Sequence, residues 1–247
     1  MESTRLPGKV LMELNGTPVL LHIYNELKKC KMVDDIIIAT SNHSEDDKIE
    51  DFCKSHGIKY YRGSHKNVLE RFYKCASMNN SDLIIRLTGD NALIDSSIVD
   101  DGINHFLSKN NDYECYCDEL PLGVSIEIFS YSALKKAYLE ADDAECLEHV
   151  TPYFYRNPNT FHCENVSTNK YDAIIAYMQK MYGISPENLR WTMDTPKDYE
   201  LVSNIYKELE NEKNKSFTKI IELYKYHPEW ININSSVEQI KVNYIGN

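Results

Sequence analysis

A chain of 247 residues with 42% hydrophobic and 26% charged residues can bury a sizeable core and does not have the composition of a disordered protein. Asp and Glu number 38 against 27 Lys and Arg, which gives a formal charge of −11 and argues against a nucleic-acid-binding surface. No apolar run approaches the ~18 residues that a membrane span needs, and Met1 leads into polar residues rather than into a signal-peptide core. We therefore expect a cytoplasmic protein with neither a nucleic-acid partner nor a membrane partner.

The first part of the chain alternates helical and strand patterns. In chain order, the pattern predicts a helix at 18–31, a strand at 35–40, a helix at 44–56, a strand at 58–62, a helix at 67–79 and a strand at 81–88. The run at 35–40 is rich in β-branched residues and is typical of a strand buried on both faces. Connections of this length imply right-handed crossovers, and so an α/β fold with a mostly parallel sheet and helices on both faces.

The second part of the chain is more mixed. The pattern predicts a helix at 96–107, strands at 113–117 and 124–129, helices at 130–140 and 146–155, strands at 160–166 and 189–194, and helices at 196–211 and 217–226. The helix at 146–155 should be broken or bent near Pro152. Cys115 and Cys117 fit alternate positions of a strand better than a metal site, because no second pair of cysteines or histidines stands at metal-binding spacing. No low-complexity linker marks a boundary, so we expect one domain over 1–211 and a helical appendage over 212–247.

Two aspartates stand at the carboxyl ends of predicted strands, where ligands bind in open parallel sheets. Asp90 follows the strand at 81–88 through a glycine, and Asp194 ends the strand at 189–194. Each alone is as well explained as a helix cap. If the two converge, they could hold one Mg²⁺, with water and phosphate oxygens completing its coordination.

The opening segment from Ser3 to Lys9 is a loop by composition, because its Pro-Gly pair excludes a regular element. A hydroxyl, the guanidinium of Arg5 and the ammonium of Lys9 lie within seven residues, just before a helix. Such a loop could bind a polyphosphate. A solvated basic turn is the alternative interpretation.

Several segments, in order along residues 3–206, carry a resemblance to a known family. They are STRLPGKV, DIIIAT, YRGSHKNVLERF, RLTGDNALID, GVSIEIFS, EHVTPYF and WTMDTPKDYELV, and the closing HPEWININSSVEQIKV is similar to the tail of some members. The chain resembles cytidylyltransferase-domain proteins of the spore-coat-polysaccharide type. These are relatives of the enzymes that make CMP-activated acidic sugars such as sialic, pseudaminic and ketodeoxyoctonic acids.

The resemblance implies a Rossmann-like nucleotidyltransferase fold and a reaction in which CTP and a sugar acid give a CMP-sugar and pyrophosphate. By motif, Ser3, Arg5 and Lys9 would bind the triphosphate, and Asp90 and Asp194 would bind Mg²⁺. Catalysis of this kind is mostly positioning and electrostatic stabilisation as pyrophosphate leaves in line.

Other positions in the same motifs are candidates for substrate contacts. Arg62 and Ser64, between a strand and a helix, suit base or ribose contacts, and Arg71 and Arg86 could reach the nucleotide. A surface salt bridge is an equal alternative for Arg71, and a structural ion pair is nearly as good an explanation for Arg86.

The sugar-side candidates are Glu127, Glu148 and His149. His149 could act as a base, although a histidine that satisfies a core hydrogen bond is the simpler interpretation. Among the relatives homodimers are common, so a homodimer is an expectation by analogy.

The family's chain opens with a hydrophobic strand before the STRLPGK segment, whereas here Met1 stands at the turn that follows it. We therefore expect the first strand to be missing from the sheet, which would leave backbone groups of both neighbouring strands unpaired. Each buried unsatisfied group costs about 1–3 kcal/mol. Either the sequence begins late or the chain is a damaged or repurposed relative.

Two other functions compete with the transferase. A nucleotide-sugar glycosyltransferase usually carries a D-x-D metal motif, and no two aspartates in this chain have that spacing. A nucleotide-binding relative without turnover would fit the missing strand. The joint presence of Arg5, Lys9, Asp90 and Asp194 argues against that second alternative.

Overall fold

Short strands linked through helices make up the computed structural model, which describes residues 1, 3–118, 120–167, 169–210, 212 and 215–238. The strands are β1 Glu13–Leu14, β2 Thr17–Pro18, β3 Ile38–Ser41, β4 Tyr60–Gly63, β5 Leu83–Arg86, β6 Tyr113–Asp118, β7 Ile126–Ser130 and β8 Cys163–Ser167. The predicted C-x-C pair therefore lies in a strand, β6.

The helices follow most of the predicted positions, with shorter bounds. They are α1 Val19–Leu27, α2 Asp47–His56, α3 Val68–Met78, α4 Ser96–Ser108, α5 Tyr131–Glu140, α6 Ala144–His149, α7 Pro152–Arg156, α8 Asp172–Tyr182, α9 Pro196–Glu208 and α10 Phe217–Leu223. Short 3-10 helices lie at Lys9–Leu11, Ser44–Asp46, Asn169–Tyr171, Pro186–Asn188 and Pro228–Asn232. Within the described ranges, none of these helices has the length and apolarity needed to cross a bilayer.

The strands form a mixed rather than a uniformly parallel arrangement. β3 pairs with β4 in parallel, and a second sheet has the order β5-β7-β6-β8. β6 and β8 are parallel, whereas β7 runs antiparallel to both β5 and β6. The connection 119–125 explains this exception, because a parallel pair needs a crossover of about a dozen residues or more. The α/β class is confirmed.

Helices cover both faces of this second sheet. Along β7, Ile126 and Ile128 pack in one apolar cluster with residues of α4, and Phe129 packs in the other with residues of α3 and α5. This alternation is what a strand buried on both faces requires. α10 buries Phe217 in the first cluster, so residues of the predicted appendage share a core with the sheet.

Two predicted elements differ from the structure. The strand predicted at 189–194 is wrong: Arg190 forms an isolated bridge to Leu122, and the segment then bends towards α9. The helix predicted at 146–155, with a break or bend near Pro152, is indeed two helices, but the break lies at Val150, whose φ of 73° ends the first. The pattern also missed α8 and the β1–β2 hairpin, whose Asn-Gly turn at 15–16 is a standard hairpin signal.

A slot separates β3 from β5. Within the described part of the chain no strand pairs with either edge that faces it, and a cavity of about 430 Å³ lies there, lined by residues of 35–40, 83–89, α1 and α3. β5 is the edge strand of its sheet, and all four of its residues are half-buried, whereas a strand paired on both sides and covered on both faces is usually fully buried. This is the arrangement expected for a sheet that lacks a central strand. We refer to it as the β3–β5 slot.

The slot predicts the effect of an added strand. Met1 lies beside the carboxyl end of β3, since its ammonium contacts Asp46 at 2.6 Å and Asp46 accepts hydrogen bonds from Thr40 and Ser41. An extension at Met1 that carries about six β-branched residues should enter the slot and pair with both edges. At about 1 kcal/mol for each hydrogen bond, several bonds should raise Tm by more than ~5 °C.

The control is an extension of the same length made of glycine and serine, which equally removes the charge of the Met1 ammonium. Thermal unfolding of both variants checks the prediction. Equal Tm values for the two extensions would contradict it.

Candidate active site

The opening loop and the ends of two distant segments meet at one ammonium group. Lys9 Nζ donates to Asp90 and, at 2.7 Å, to Asp194 Oδ1. Gly89 permits this meeting, because a Cβ there would lie 2.9 Å from Val10 Cγ1 of the opening loop. The two aspartates, whose convergence the sequence left open, therefore lie at one site together with Lys9.

The charges of this cluster reinforce one another. Burial lowers the pKa of Lys9, but the adjacent Asp90 and Asp194 carboxylates outweigh burial, so the pKa of Lys9 stands above its ordinary value. Burial raises the pKa of Asp194, but the hydrogen bond from Lys9 and the charges of Lys9, Arg190 and Arg5 outweigh it, so this pKa stands below its ordinary value. At neutral pH Lys9 is an ammonium and Asp194 a carboxylate.

The donor set fits a magnesium ion. Asp90 and Asp194 offer carboxylate oxygens, and their side chains are 16% and 17% exposed, so both can be reached from solvent. Mg²⁺ in proteins is usually held by one or two carboxylates together with substrate phosphates and water. That these two residues bind Mg²⁺ stays a prediction.

The opening loop presents its basic groups towards the same site. Arg5 Nη2 lies 3.4 Å from Asp194 Oδ2, and the Arg5 side chain is 36% exposed. Ser3 Oγ accepts a hydrogen bond from the backbone N–H of Leu6 at 3.2 Å and so closes the turn. Gly8, with φ 70°, makes the left-handed step that starts the 3-10 helix of Lys9. A triphosphate contact by Ser3 stays a prediction.

Arg62 of β4 forms ion pairs with acidic residues of α2. Its Nη1 contacts Asp47 at 2.6 Å and also Glu50, and its other nitrogens donate to the carbonyl oxygens of Ser41 and His43 at 2.9 Å and 2.8 Å. These contacts hold β4 against α2. A base or ribose contact by Arg62 would require it to leave some of these partners, and its assignment to the nucleotide stays a prediction.

Ser64 lies in the loop between β4 and α3, and Arg71 lies in the first turn of α3. Arg71 Nη1 donates to the Ser64 carbonyl at 3.2 Å, while Arg71 Nε is buried without a hydrogen-bond partner among the described residues. Burial lowers the pKa of Arg71; the charge of Asp46 opposes this, and the weaker effect of the Arg86 charge adds to the lowering. An open groove of about 640 Å³ passes Ser64 and is lined also by basic and imidazole side chains, Arg62, His65, Lys66 and His43.

Glu127 joins three elements beside β5. It lies opposite Arg86 in the β5–β7 register and accepts a hydrogen bond from Arg86, which is the structural ion pair that sequence left open. It also accepts from Tyr113 Oη at 2.8 Å and from Thr151 Oγ1 at 2.6 Å. Glu127 is 6% exposed, so these donors satisfy a carboxylate that is almost fully buried.

The other sugar-side candidates, Glu148 and His149, lie at the junction between α6 and α7. Glu148 is exposed at the end of α6, and the carbonyl of His149 accepts from the N–H of Thr151 at 2.9 Å. Val150 between them has φ 73° and ψ −57° and is fully buried. Positive φ is strained for a β-branched residue, and such strain concentrates at functional sites. The turn sets Thr151 against Glu127, and sequence reasoning did not single out Thr151.

Sequence reasoning also missed the residues that hold Asp194. Arg190 Nη2 contacts Asp194 Oδ2 at 2.6 Å, and Arg190 Nε contacts Asp198 Oδ1 at 2.9 Å. Asp198 is the third residue of α9 and forms a capping box with Thr195. The signal was present, because Thr195 and Pro196 mark a helix start and a capping box places an acidic or amide residue three positions later.

Comparisons with known proteins agree with this geometry. A family model described as cytidylyltransferase matches residues 1–246. An uncharacterized protein of Methanocaldococcus jannaschii, MJ1063, is 37% identical over 237 residues, which is 96% of this chain and 92% of that protein. The spore coat polysaccharide biosynthesis protein SpsF of Bacillus subtilis is 30% identical over 234 residues, 93% of this chain and 92% of the relative.

A solved structure supports the same assignment. The structure of a cytidylyltransferase from Leptospira borgpetersenii superposes with a TM-score of 0.81 at 29% identity, and the match covers 99% of this chain and 95% of that one. Family model, relatives and solved structure agree over almost the whole length. The chain belongs to the cytidylyltransferase family.

Proposed function

We propose that the protein transfers CMP from CTP to the hydroxyl of an acidic sugar and releases pyrophosphate, in the synthesis of a surface polysaccharide or glycoconjugate. The observation that carries the proposal is the cluster that Lys9 forms with Asp90, which follows β5, and with Asp194, which lies just before α9. A relative named for spore coat polysaccharide biosynthesis supports a sugar as the acceptor.

Positive charge near β5 supports an acidic acceptor. Arg71 and Arg86 both line the β3–β5 slot, where the charge of Arg86 disfavours the charge of Arg71, although Asp46 favours it more strongly. Glu127 neutralises Arg86, whereas the described partner of the Arg71 guanidinium is the neutral carbonyl of Ser64. A bound carboxylate beside these two guanidiniums would relieve their repulsion.

The chain's own residues would act mainly by binding and orienting. Lys9 bridges the two carboxylates that a cation would take, so cation binding at Asp90 and Asp194 frees its ammonium for the triphosphate. Arg5 extends from the same loop towards that position. The acceptor oxygen then bonds to the α-phosphorus as the bond to pyrophosphate breaks, and the hydroxyl proton passes to solvent. Mg²⁺, when bound, would neutralise charge on the phosphates.

Pyrophosphate release tests the proposal directly. Each of the four nucleoside triphosphates is incubated with Mg²⁺ and a panel of sugar acids, and we expect release with CTP alone. Asp90→Asn and Asp194→Asn should each lower kcat at least 100-fold, because each removes a charged oxygen ligand, about 2.7 kcal/mol in the transition state. The exposed Asp142→Asn is the matched control.

Two results would contradict this. Pyrophosphate release that is unchanged in both aspartate variants would show that Asp90 and Asp194 do not form the metal site of the reaction. CTP-dependent stabilisation without turnover, for the chain as given and for one with the β3–β5 slot filled, would indicate a nucleotide-binding relative instead.

Lys9→Met removes the cation from between the two carboxylates and keeps most of the side-chain length. At pH 7 we expect a loss of about 2 kcal/mol of unfolding free energy, or roughly 4–8 °C in Tm. The folded-state pKa of Asp194 is lowered, so its stabilising contribution is full above the ordinary carboxylate pKa, about 4, and is lost as pH falls through the lowered value. The loss caused by the substitution should therefore shrink between about pH 5 and pH 3.

Thermal unfolding over this pH range measures the effect. Lys66→Met, at an exposed lysine, is the control and should leave Tm within about 1 °C of wild type. A deficit in Lys9→Met that stays constant with pH would show that the lysine contributes packing rather than charge.

A further inference from the structure

We propose that Asn234 is a positioning residue for Asp194, acting through Arg190 and Asp198; the inference rests on the proposed function. Asn234 follows the 3-10 helix Pro228–Asn232 in the carboxyl-terminal part of the chain and is 4% exposed. Its Nδ2 donates to the carbonyl oxygen of Arg190 at 2.8 Å and to Asp198 Oδ1 at 2.9 Å. A residue of the closing segment, far along the chain from the candidate site residues at 3–9 and 90, thus reaches the segment that carries Asp194.

The anchor of this arrangement is Asp198. Its carboxylate is fully buried and accepts from Arg190, from Asn234, from the N–H of Asp194 at 3.1 Å and from Thr195. A buried charge is tolerated when it is paired and its lone pairs are satisfied. Asp198 therefore fixes the backbone of Asp194 directly and the side chain of Asp194 through Arg190, whose Nη2 contacts Asp194 Oδ2.

The chemistry at this position requires an amide of this length. Both protons of the Asn234 Nδ2 are used, one on the backbone at Arg190 and one on the side chain of Asp198. These acceptors stand at the two ends of the segment 190–198, so one side chain ties both ends together. Aspartate offers no donor and would place a second carboxylate against Asp198, and alanine would leave both acceptors without this partner.

The segment that carries Asn234 is itself fixed. Lys197 Nζ donates to Ser236 Oγ at 2.9 Å, and the N–H of Val237 donates to the Asn234 carbonyl at 2.9 Å. Trp230, just before it, packs edge-on against Tyr224, whose Oη accepts from Trp191 Nε1 at 2.8 Å. The segment around Asn234 is thus fixed by a hydrogen bond within itself, by the contact of Ser236 with α9 and by the packing of Trp230 in the core.

The consequence for the site is pre-organisation of one metal ligand. With Asn234 in place, Asp194 is restrained at its N–H and at Oδ2, so Oδ1 keeps its position towards Lys9 and Asp90. Without Asn234, Arg190 and Asp198 can relax and Asp194 samples other positions. Loss of a group that orients a metal ligand typically lowers metal affinity 10- to 100-fold.

The experiment compares Asn234→Ala, Asn234→Asp and Asn234→Ser with wild type. Mn²⁺ binding in the presence of CTP is measured by calorimetry, and the Mg²⁺ dependence of pyrophosphate release is measured in parallel, each below the Tm of every variant. We expect Kd for Mn²⁺ and the half-saturating Mg²⁺ concentration to rise at least tenfold in Asn234→Ala and further in Asn234→Asp. Asn234→Ser, which keeps one donor, should fall between, and kcat at saturating metal should change less than threefold.

Asn232→Ala is the matched control, since Asn232 has the same side chain two positions earlier and is exposed. Wild-type metal affinity in Asn234→Ala or Asn234→Ser, with only Tm lowered, would make Asn234 a structural residue and overturn the inference. A wild-type chain that binds Mn²⁺ but releases no pyrophosphate would contradict the proposed function, and the Mn²⁺ titrations would still decide the role of Asn234. Absence of Mn²⁺ binding in wild type would overturn both.

Discussion

The contact of one ammonium with two carboxylates ties together parts of the chain that lie far apart in sequence. Lys9 is 81 residues from Asp90 and 185 residues from Asp194, yet its Nζ touches both. Two carboxylates at the end of a sheet would repel each other, and an unpaired charge at this depth is costly, so the opening loop has to dock where it does. The same arrangement keeps the carboxylates close enough for one cation to replace the lysine.

The restraints on the two carboxylates differ. Asp90 follows β5 by a short turn and also accepts from the hydroxyl of Thr88. Asp194 has no strand beneath it, since residue 190 contributes an isolated bridge, and its position depends on Arg190, Asp198 and the carboxyl-terminal segment. The position of Asp194 is therefore fixed by side-chain hydrogen bonds, whereas the position of Asp90 is fixed mainly by the strand that precedes it. Such bonds respond to single substitutions, whereas a strand end responds mainly to changes in its whole sheet.

The sequence predicted the parts of this molecule that follow from local pattern or from general rules of sheet geometry. Most of the helices, the strands of the β3–β4 and β5-β7-β6-β8 sheets and the position of Asp90 after a strand were of this kind. The strand at 189–194 was wrong because its apolar alternation reflects packing of Trp191 in the core, which periodicity cannot distinguish from a strand. The partners of Arg62 and the link from Asn234 to Asp198 join segments 12 to 36 residues apart, and no local pattern specifies such contacts.

The β3–β5 slot and the cluster of Lys9, Asp90 and Asp194 are not independent. β5 pairs with β7 on one side and borders the slot on the other, and the chain leaves β5 towards Asp90. Val10 lines the slot and also packs so closely against Gly89 that a Cβ there would clash with it. Val10 therefore connects the opening loop, the wall of the slot and the turn before Asp90. A strand that filled the slot would fix the free edge of β5 and restrict Val10. The stability of the sheet and the geometry of the Asp90–Asp194 cluster would then change together, because Val10 and the turn before Asp90 connect the two regions.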